Sequence, residues 1–384
     1  MLGHWTLELG HFFRGYFNSR SFGILTIMSD ANPLFDESSP SDAVDQSKSP
    51  AYRMDNDYVV AELANGSKPS AEEQLAEIER QYVAHQRKRK TRTPIILFLL
   101  TCVSTFWVGA TNWMPLHIIS ICLGTSSLLP LRHALLVYWD QGLIYMACVL
   151  AILMTHEMGH FIATLCHRIR ASLPYFLPFP INPIGTFGAV IMMDAMRADR
   201  KQMFDIGIAG PIAGLVVAVP IMWYGVATLD LTVPVGGAIK LHMPLAVHWL
   251  MNLYHPDAYE PGSGVWITQL NPYFMAGWVG LLVTGLNMIP VSQLDGGHIT
   301  YTLFGKAAHW IARAFMVGAI AYIVYTGNPA LIIMVILIVL IGTDHPPTKN
   351  DREPIGVFRT ILGYGSLAIP ILCFPPRVME VFGG

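Results

Sequence analysis

Long apolar runs, separated by short polar stretches, occupy most of the chain after residue 93. A helix rises about 1.5 Å per residue, so a run of about 20 apolar residues crosses the hydrocarbon core of a bilayer. The runs that reach or approach this length are residues 94–113, 142–165, 206–228, 273–289, 311–325, 331–341 and 357–374. The pattern predicts an all-α polytopic membrane protein with about six to seven transmembrane helices.

Two further apolar stretches do not read as continuous helices. Residues 114–140 are interrupted by two prolines and an Arg-His pair, so we expect an extracytoplasmic or interfacial segment; an additional span ending near residue 131 is the alternative. Residues 171–193 contain four prolines together with Gly185 and Gly188, which excludes a continuous helix. Non-helical backbone at membrane depth must be buried in protein or line a cavity. We therefore predict a re-entrant, β-hairpin-like segment whose part around the two glycines offers a strand edge.

Composition agrees with a membrane protein and excludes several other classes. Hydrophobic residues make up 53% of the chain and charged residues 13%, whereas soluble domains carry about 25% charged residues. The net charge of -2 provides no strongly basic surface, so we expect no nucleic-acid partner. The five cysteines lie in apolar segments without CxxC spacing, which predicts small hydrophobic packing residues and no disulfide framework.

Basic residues are distributed unequally on the two sides of the predicted spans. Clusters at residues 87–92, 167–170, 197–201 and 349–359 all fall on one side, whereas the long segment 229–272 contains one lysine and no arginine. The positive-inside rule assigns the basic side to the cytoplasm. We therefore expect an integral multi-pass protein in a lipid bilayer, with its N-terminus in the cytoplasm.

The same patterns divide the chain into four regions. Residues 1–70 are rich in Ser, Asp, Pro and Asn, which predicts a disordered cytoplasmic N-terminal region. Residues 71–93 have apolar residues at near-helical spacing and end in a basic cluster, which predicts a juxtamembrane helix close to anionic headgroups. Residues 94–305 form the predicted core, and residues 306–384 are expected to add C-terminal transmembrane helices.

One predicted span carries ionisable side chains in its second half. Residues 142–165 contain His156, Glu157 and His160. An ionisable group inside a span costs about 2.5–3.5 kcal/mol on insertion scales and therefore marks a functional site. The three residues form an H-E-x-x-H pattern, in which positions i and i+4 share a helix face and can bind one zinc ion beside a glutamate base. The pattern predicts a zinc protease whose active site lies inside the membrane.

A catalytic zinc site needs a third protein ligand, and Asp295 is the candidate because it follows a predicted span. His156 lies about 21 Å along its helix from the start of its apolar run, and residues 273–289 cover about 24 Å from the same side. Both motifs therefore arrive in the cytoplasmic half of the bilayer, where they can meet. We expect Gly296 and Gly297 to let this backbone approach the helix of the histidines.

Asp295 and the other polar or small residues near the two motifs also have purely structural interpretations. Asp295 could cap a helix end, Asn287 could make an interhelical hydrogen bond, and Gly210 and Gly214 are typical of close helix packing. At the level of function, the alternatives are a non-proteolytic metal-binding membrane protein and an ion carrier. Carriers usually contain internal repeats with broken helices in matching halves, which we do not find, and a structural metal site needs no base such as Glu157.

The chain resembles the site-2 protease family of intramembrane metalloproteases. The resemblance covers about residues 94–305 and departs from the family pattern at Ser292, where many members have a second proline. It rests on the following motifs: His156-Glu157-x-x-His160, Asn287-x-x-Pro290 followed by Leu294-Asp295-Gly296, Gly210-Pro211-Ile212-Ala213-Gly214, and residues 185–190.

The resemblance implies a metalloendopeptidase that cuts a transmembrane protein substrate within or near the bilayer. It implies Glu157 as the catalytic base. A substrate helix must unwind before it is cut, so we expect Asn287 and the strand edge at Gly185 and Gly188 to bind the exposed substrate backbone. An accessory or gating membrane protein is a candidate further partner. The zinc ligands implied by the resemblance are His156, His160 and Asp295.

Overall fold

The computed structural model describes residues 91–193, 197–233, 239–260, 262, 264–326, 345, 348–375 and 377–381. The predictions for residues 1–70, for nearly all of 71–93 and for the span 331–341 therefore lie outside the described residues. In chain order the α-helices are α1 (Arg92–Ala110), α2 (Pro115–Thr125), α3 (Leu129–Val137), α4 (Trp139–Cys166), α5 (Arg200–Ala227), α6 (Leu245–Tyr254), α7 (Pro272–Asn287), α8 (Asp295–Phe304), α9 (Ala308–Thr326), α10 (Val357–Ser366) and α11 (Ile369–Cys373). The strands are β1 (Tyr175–Phe179), β2 (Gly185–Val190), β3 (Ile239–Leu241), β4 (Val265–Trp266) and β5 (Met379–Val381).

Four helical stretches of the described residues are long and apolar enough to cross a membrane. Three of them are α1, α4 and α5, and the fourth is Asp295–Tyr325, which joins α8 and α9 through the 3-10 turn Gly305–Ala307. Helix α7 is also apolar but has only 16 residues. The described residues thus form a mostly helical membrane protein.

Two predicted apolar segments have broken helices in the structure. Residues 114–140 contain the short helices α2 and α3, separated by a left-handed Ser126 with a φ of 48°. This agrees with the interruption expected there. The predicted span 357–374 corresponds to a shorter apolar helix, Val357–Cys373, with a turn between Ser366 and Ile369 that divides it into α10 and α11. Pro370, in the first turn of α11, has no N–H with which to continue a helix from α10.

A three-stranded antiparallel sheet with the order β4–β3–β5 is an exception to the predicted all-α class. In its central strand, Lys240 lies opposite Trp266 on one side and Glu380 on the other. The sheet therefore connects the segment after α5 with the end of the described chain. The strands have only two or three residues each, so no alternating pattern in the sequence could reveal them.

The predicted hairpin-like segment is present, because β1 and β2 pair as an antiparallel hairpin with Phe179 opposite Gly185. Two hydrogen bonds hold its turn against the helices. Ser104 Oγ on α1 donates to the carbonyl of Gly185 at 2.6 Å, and the hydroxyl of Tyr145 on α4 donates to the carbonyl of Ile184 at 2.8 Å. The hairpin is therefore fixed to α1 and α4 at one end.

Glycines allow α4, α5 and α7 to pack closely. A Cβ atom on Gly159 of α4 would lie 2.5 Å from the carbonyl oxygen of Ala209 on α5, closer than real Cβ contacts. In the same way, a Cβ on Gly277 of α7 would lie 2.6 Å from the Cα of Met222 on α5. Helix α5 therefore lies between α4 and α7 with its backbone close to both, and this contact buries the ionisable residues of α4.

Candidate metal centre

Helix α4 presents His156 and His160 on its buried face, one helical turn apart. The two Nε2 atoms face each other at 3.2 Å. Residues four apart on a helix share a face, so the H-E-x-x-H spacing accounts for this arrangement without distortion of α4.

Asp295, from the distant second motif, joins the two histidines. It is the first residue of α8, where a carboxylate interacts favourably with the helix dipole. Its Oδ2 atom lies 3.2 Å from His156 Nε2 and 3.3 Å from His160 Nε2. The two sequence motifs, which we expected to reach the same depth, therefore meet.

The three ligand atoms of His156, His160 and Asp295 form a nearly equilateral triangle with sides of 3.2, 3.2 and 3.3 Å. Zinc bonds of about 2.0–2.1 Å in tetrahedral geometry separate neighbouring ligand atoms by about 3.3–3.4 Å. Catalytic zinc sites use three nitrogen or oxygen ligands and keep a fourth position open for water or substrate. The residues of this group therefore fit a zinc ion in both donor type and spacing.

Hydrogen bonds orient the ring of His160. Its Nδ1–H donates to the backbone carbonyl of Ile206 on α5 at 2.8 Å. A carbonyl can only accept, so this bond assigns the proton to Nδ1 and leaves the Nε2 lone pair for a metal.

The side-chain Nδ2 of Asn287, at the end of α7, lies 3.2 Å from His156 Nε2. Asn287 is therefore next to the metal ligands, as its predicted role in the site requires.

Two glycines of α5 provide the space that the imidazole rings occupy. A Cβ on Gly210 would overlap the Nε2 atom of His160, and a Cβ on Gly214 would lie 3.0 Å from Nδ1 of His156. Their spacing in the sequence predicts only general helix packing. The structure gives them a more specific position, because the groups that pack against them are the candidate metal ligands.

The loop between α7 and α8 also depends on glycines, but not in the predicted way. A Cβ on Gly296 would overlap the carbonyl oxygen of Met288, and a Cβ on Gly297 would overlap that of Ser292. These glycines were expected to let the backbone approach the helix of the histidines. Instead they let residues 288–292 fold back onto the first turn of α8, and this compact turn positions Asp295.

Ser292 has a φ of +51°, a left-handed conformation that proline cannot adopt, so the loop differs from one with a second proline here. Its hydroxyl is buried and has no hydrogen-bond partner among the described residues.

We expect Ser292→Gly to raise the free energy of unfolding by about 1–2 kcal/mol, because glycine adopts positive φ without steric cost. The thermal unfolding midpoint in detergent measures this. Ser292→Ala, which keeps the Cβ at positive φ, should gain less, and a destabilised Ser292→Gly variant would contradict the interpretation.

A cavity of about 160 Å³ opens beside the three ligand atoms. Its lining includes Glu157, Asn287 and Gln293 together with residues from the end of β2, from the segment that follows it and from the first half of α5. Glu157 is buried, and its carboxylate accepts no hydrogen bond from the described residues. The glutamate therefore faces the cavity next to the ligand atoms, where it can exchange protons with a small molecule.

Gly185 and Gly188, which we predicted to bind substrate, are not among the residues that line this cavity. Gly185 packs against α1, where a Cβ would lie 2.9 Å from the Cα of Thr105. The cavity is lined instead by Ala189 and Val190 at the end of β2. The structure thus brings the later part of the predicted strand edge to the site, and not its two glycines.

A pair of buried histidines next to the site was not predicted. His298 lines the same cavity, and its Nδ1 lies 2.6 Å from Nε2 of His345. The ring of Tyr301 stacks on His345 with 4.3 Å between centroids. His345 lies 47 residues after His298, and no spacing rule relates the two positions.

A sequence model of the family described as Peptidase family M50 matches residues 144–334. This range includes both parts of the site, His156 to His160 on α4 and Asp295 on α8. The chain belongs to peptidase family M50, the site-2 protease family. The family resemblance identified from the motifs is therefore confirmed.

Curated relatives of this M50 chain are named as zinc metalloproteases. Two proteins named "Probable zinc metalloprotease EGY1, chloroplastic", from Oryza sativa subsp. japonica and Arabidopsis thaliana, are 28% and 29% identical over 292 and 290 residues. Each match covers 73% of this chain and 50% and 52%, respectively, of the relatives. "Probable zinc metalloprotease EGY2, chloroplastic" from Arabidopsis thaliana is 30% identical over 167 residues, which are 43% of this chain and 29% of that protein. The M50 chain thus spans about half the length of the EGY1 proteins.

Proposed function

We propose that this protein is an intramembrane zinc metalloprotease that hydrolyses peptide bonds of transmembrane substrate proteins. The observation that carries the proposal is the triangle of His156, His160 and Asp295 ligand atoms, 3.2–3.3 Å apart, on helices apolar enough to span a membrane. Membership of family M50 and the names of the EGY relatives support it. Ionisable residues inside a membrane span are costly and by default mark a functional site, which also favours this proposal.

In this proposal, the zinc ligands are His156, His160 and Asp295. When bound, zinc supplies Lewis acidity, which polarises a peptide carbonyl and makes water more acidic. Glu157 lies in the cavity and accepts no hydrogen bond from the described residues, so its carboxylate takes a proton from water and returns it to the leaving amine nitrogen. The bond from His160 Nδ1 to Ile206 keeps that imidazole in one tautomer throughout.

Substrate binding requires partners for a peptide backbone that has left its helix. We propose that the end of β2, at Ala189 and Val190, pairs with the unwound substrate by strand addition, since it lines the cavity. Asn287, 3.2 Å from His156, then contacts the substrate backbone near the bond that is cut. The roles predicted for Gly185 and Gly188 become indirect in this arrangement: they shape the hairpin that carries the edge.

We further propose about six to seven spans, a cytoplasmic N-terminus and a re-entrant β1–β2 hairpin. Contacts between regions assigned to the same side support this topology. The guanidinium of Arg359 donates to the Asp205 carboxylate at 2.7 and 2.8 Å, and Lys201 Nζ lies 2.9 Å from Glu353 Oε1, so the basic regions around α5 and α10 are neighbours. The opposite ends of the same helices lead to β3 and β5, which pair with each other.

The active site then lies in the cytoplasmic half of the bilayer. His156 and His160 are about 15 Å and about 9 Å along α4 from its end at Cys166, which precedes a basic cluster. Water therefore reaches the cavity over a short distance from the cytoplasmic side. Access of substrate to such a buried cavity is a step at which an accessory or gating membrane protein could act.

The metal content of ligand variants tests this proposal. We expect the parent protein, purified in detergent, to carry about one zinc ion per chain and to cleave a model transmembrane substrate. His156→Ala and Asp295→Ala should lose both, because two ligands do not retain zinc at a three-ligand site. Zinc is measured by mass spectrometry. His117→Ala, at an exposed histidine of α2, is the matched control and should behave as the parent.

Two outcomes would contradict the proposal in different ways. If His156→Ala and Asp295→Ala hold as much zinc as the parent, the ligand assignment is wrong. If zinc depends on these residues but the reconstituted parent moves ions and never cleaves a substrate, the ion carrier is the better interpretation.

A further inference from the structure

Helix α6 has two apolar faces, of which only one is buried in the protein. The buried face is formed by Val247, Leu250 and Met251. On the opposite side, three large apolar side chains recur every four residues and are 54%, 64% and 56% exposed. We call these residues, which share one helix face, the α6 stripe: Leu245, Trp249 and Leu253.

A hydrogen bond fixes the height of α6 relative to the spanning helix α5. Trp223 Nε1, one turn before the end of α5, donates to the hydroxyl of Tyr254 at the end of α6 at 2.7 Å. The apolar part of α5, residues 206–227, is about 33 Å long, close to the thickness of the hydrocarbon core. Trp223 and Tyr254 are therefore at the boundary between hydrocarbon and headgroups, where Trp and Tyr are enriched.

The α6 stripe continues a surface of α5 that faces lipid. Ile212, Val216, Val219 and Trp223 are exposed and share one face of α5. In a membrane-spanning helix such an apolar face contacts acyl chains. Because Trp223 belongs to this face and is bonded to Tyr254, the exposed apolar surface passes from α5 to α6.

The polar groups of α6 do not suit a helix that lies in water. Its sequence, LAVHWLMNLY, contains no Asp, Glu, Lys or Arg. The ring of His248 is turned toward the protein, where its Nδ1 is hydrogen-bonded to the hydroxyl of Tyr259. A helix that exposes one face to water normally carries charged residues there. Apart from Asn252, which is also exposed, the outer face of α6 is apolar and uncharged, as expected for a surface at the lipid interface.

We propose that α6 lies along the bilayer surface at the end of α5 distant from the basic clusters, with the α6 stripe inserted among the headgroups and upper acyl chains. The occupant of the stripe is the lipid bilayer. Since α6 directly follows β3, this contact anchors the sheet β4–β3–β5 to the membrane surface. The proposal requires neither zinc nor proteolysis.

Photo-cross-linking in vesicles tests the contact. The full chain carries p-benzoylphenylalanine in place of Trp249 or Leu253, one position at a time, and is reconstituted in vesicles of phosphatidylcholine and phosphatidylglycerol. The matched control carries it in place of Asp257, which is exposed and follows α6 outside the stripe. After irradiation we expect mass spectrometry to find lipid adducts on the peptides that contain positions 249 and 253. The peptide that contains position 257 should carry none.

Other cross-links would identify another occupant and overturn the proposal. Cross-linked dimers would indicate a second copy of the chain, and intramolecular cross-links would indicate another segment of this protein. Lipid adducts absent from all three positions, or equal at all three, would show that the stripe is not a specific lipid contact. The three exposed positions have few contacts to lose, and an unchanged gel-filtration profile verifies that each protein is folded.

Discussion

Glu157→Gln is expected to abolish cleavage of a transmembrane substrate while the protein keeps its zinc. Glutamine has almost the same shape as glutamate, but its amide cannot accept a proton from water. Glu157 contributes none of the three ligand atoms around the proposed metal, so the arrangement of the ligands from His156, His160 and Asp295 stays intact. General bases contribute about 10²–10⁴-fold to rates, so we expect kcat to fall by at least about 10²-fold. Cleavage in vesicles and zinc content by mass spectrometry measure the two effects separately.

The matched control is Glu260→Gln, which makes the same change at an exposed carboxylate after α6. It should change neither cleavage nor zinc content. Cleavage by Glu157→Gln at the parental rate would remove Glu157 from the mechanism. Loss of zinc from Glu157→Gln would give the residue a part in metal binding, and the loss of cleavage would then say nothing about a base.

The proximity of the three candidate metal ligands could be predicted from the sequence because the two motifs carry strong local signals. His156 and His160 are four residues apart in an apolar run, where ionisable groups are costly and rare. Asp295 has no such spacing to them, but the lengths of two apolar helices are enough to bring it to the same depth. Helix periodicity places the two histidines on one face, and the helix rise per residue places Asp295 at their depth in the bilayer.

Contacts between elements that are distant in sequence could not be predicted in the same way. The bond between His298 and His345 depends on how the segment before α10 lies against α8, which no period or length determines. The sheet β4–β3–β5 consists of strands too short to have a pattern. Gly210 and Gly214 were recognised as packing residues, but a glycine pattern does not tell which side chain fills the space that it leaves.

Gly210→Ala is expected to remove most zinc binding, although Gly210 is not a ligand. The added Cβ would overlap Nε2 of His160, the atom proposed to bind zinc, so the imidazole must rotate away and lose its bond to Ile206. Loss of an orienting contact typically weakens metal affinity by about 10–100-fold, and here the ligand itself is displaced. We expect at least that loss, measured by competition with a chromogenic zinc chelator.

Two variants give this prediction its controls. Gly318→Ala changes a glycine of α9 with no atom of the described residues within 4 Å of the added Cβ; it should keep zinc affinity and gain about 0.5–1 kcal/mol of helix stability. Gly214→Ala, whose Cβ would lie 3.0 Å from His156 Nδ1, should weaken zinc less than Gly210→Ala, because a small shift of the ring relieves the contact. Equal zinc affinity in all three variants would mean that α5 does not position the imidazoles. The graded loss, in contrast, would show that the close packing of α5 on α4 is part of the metal site itself.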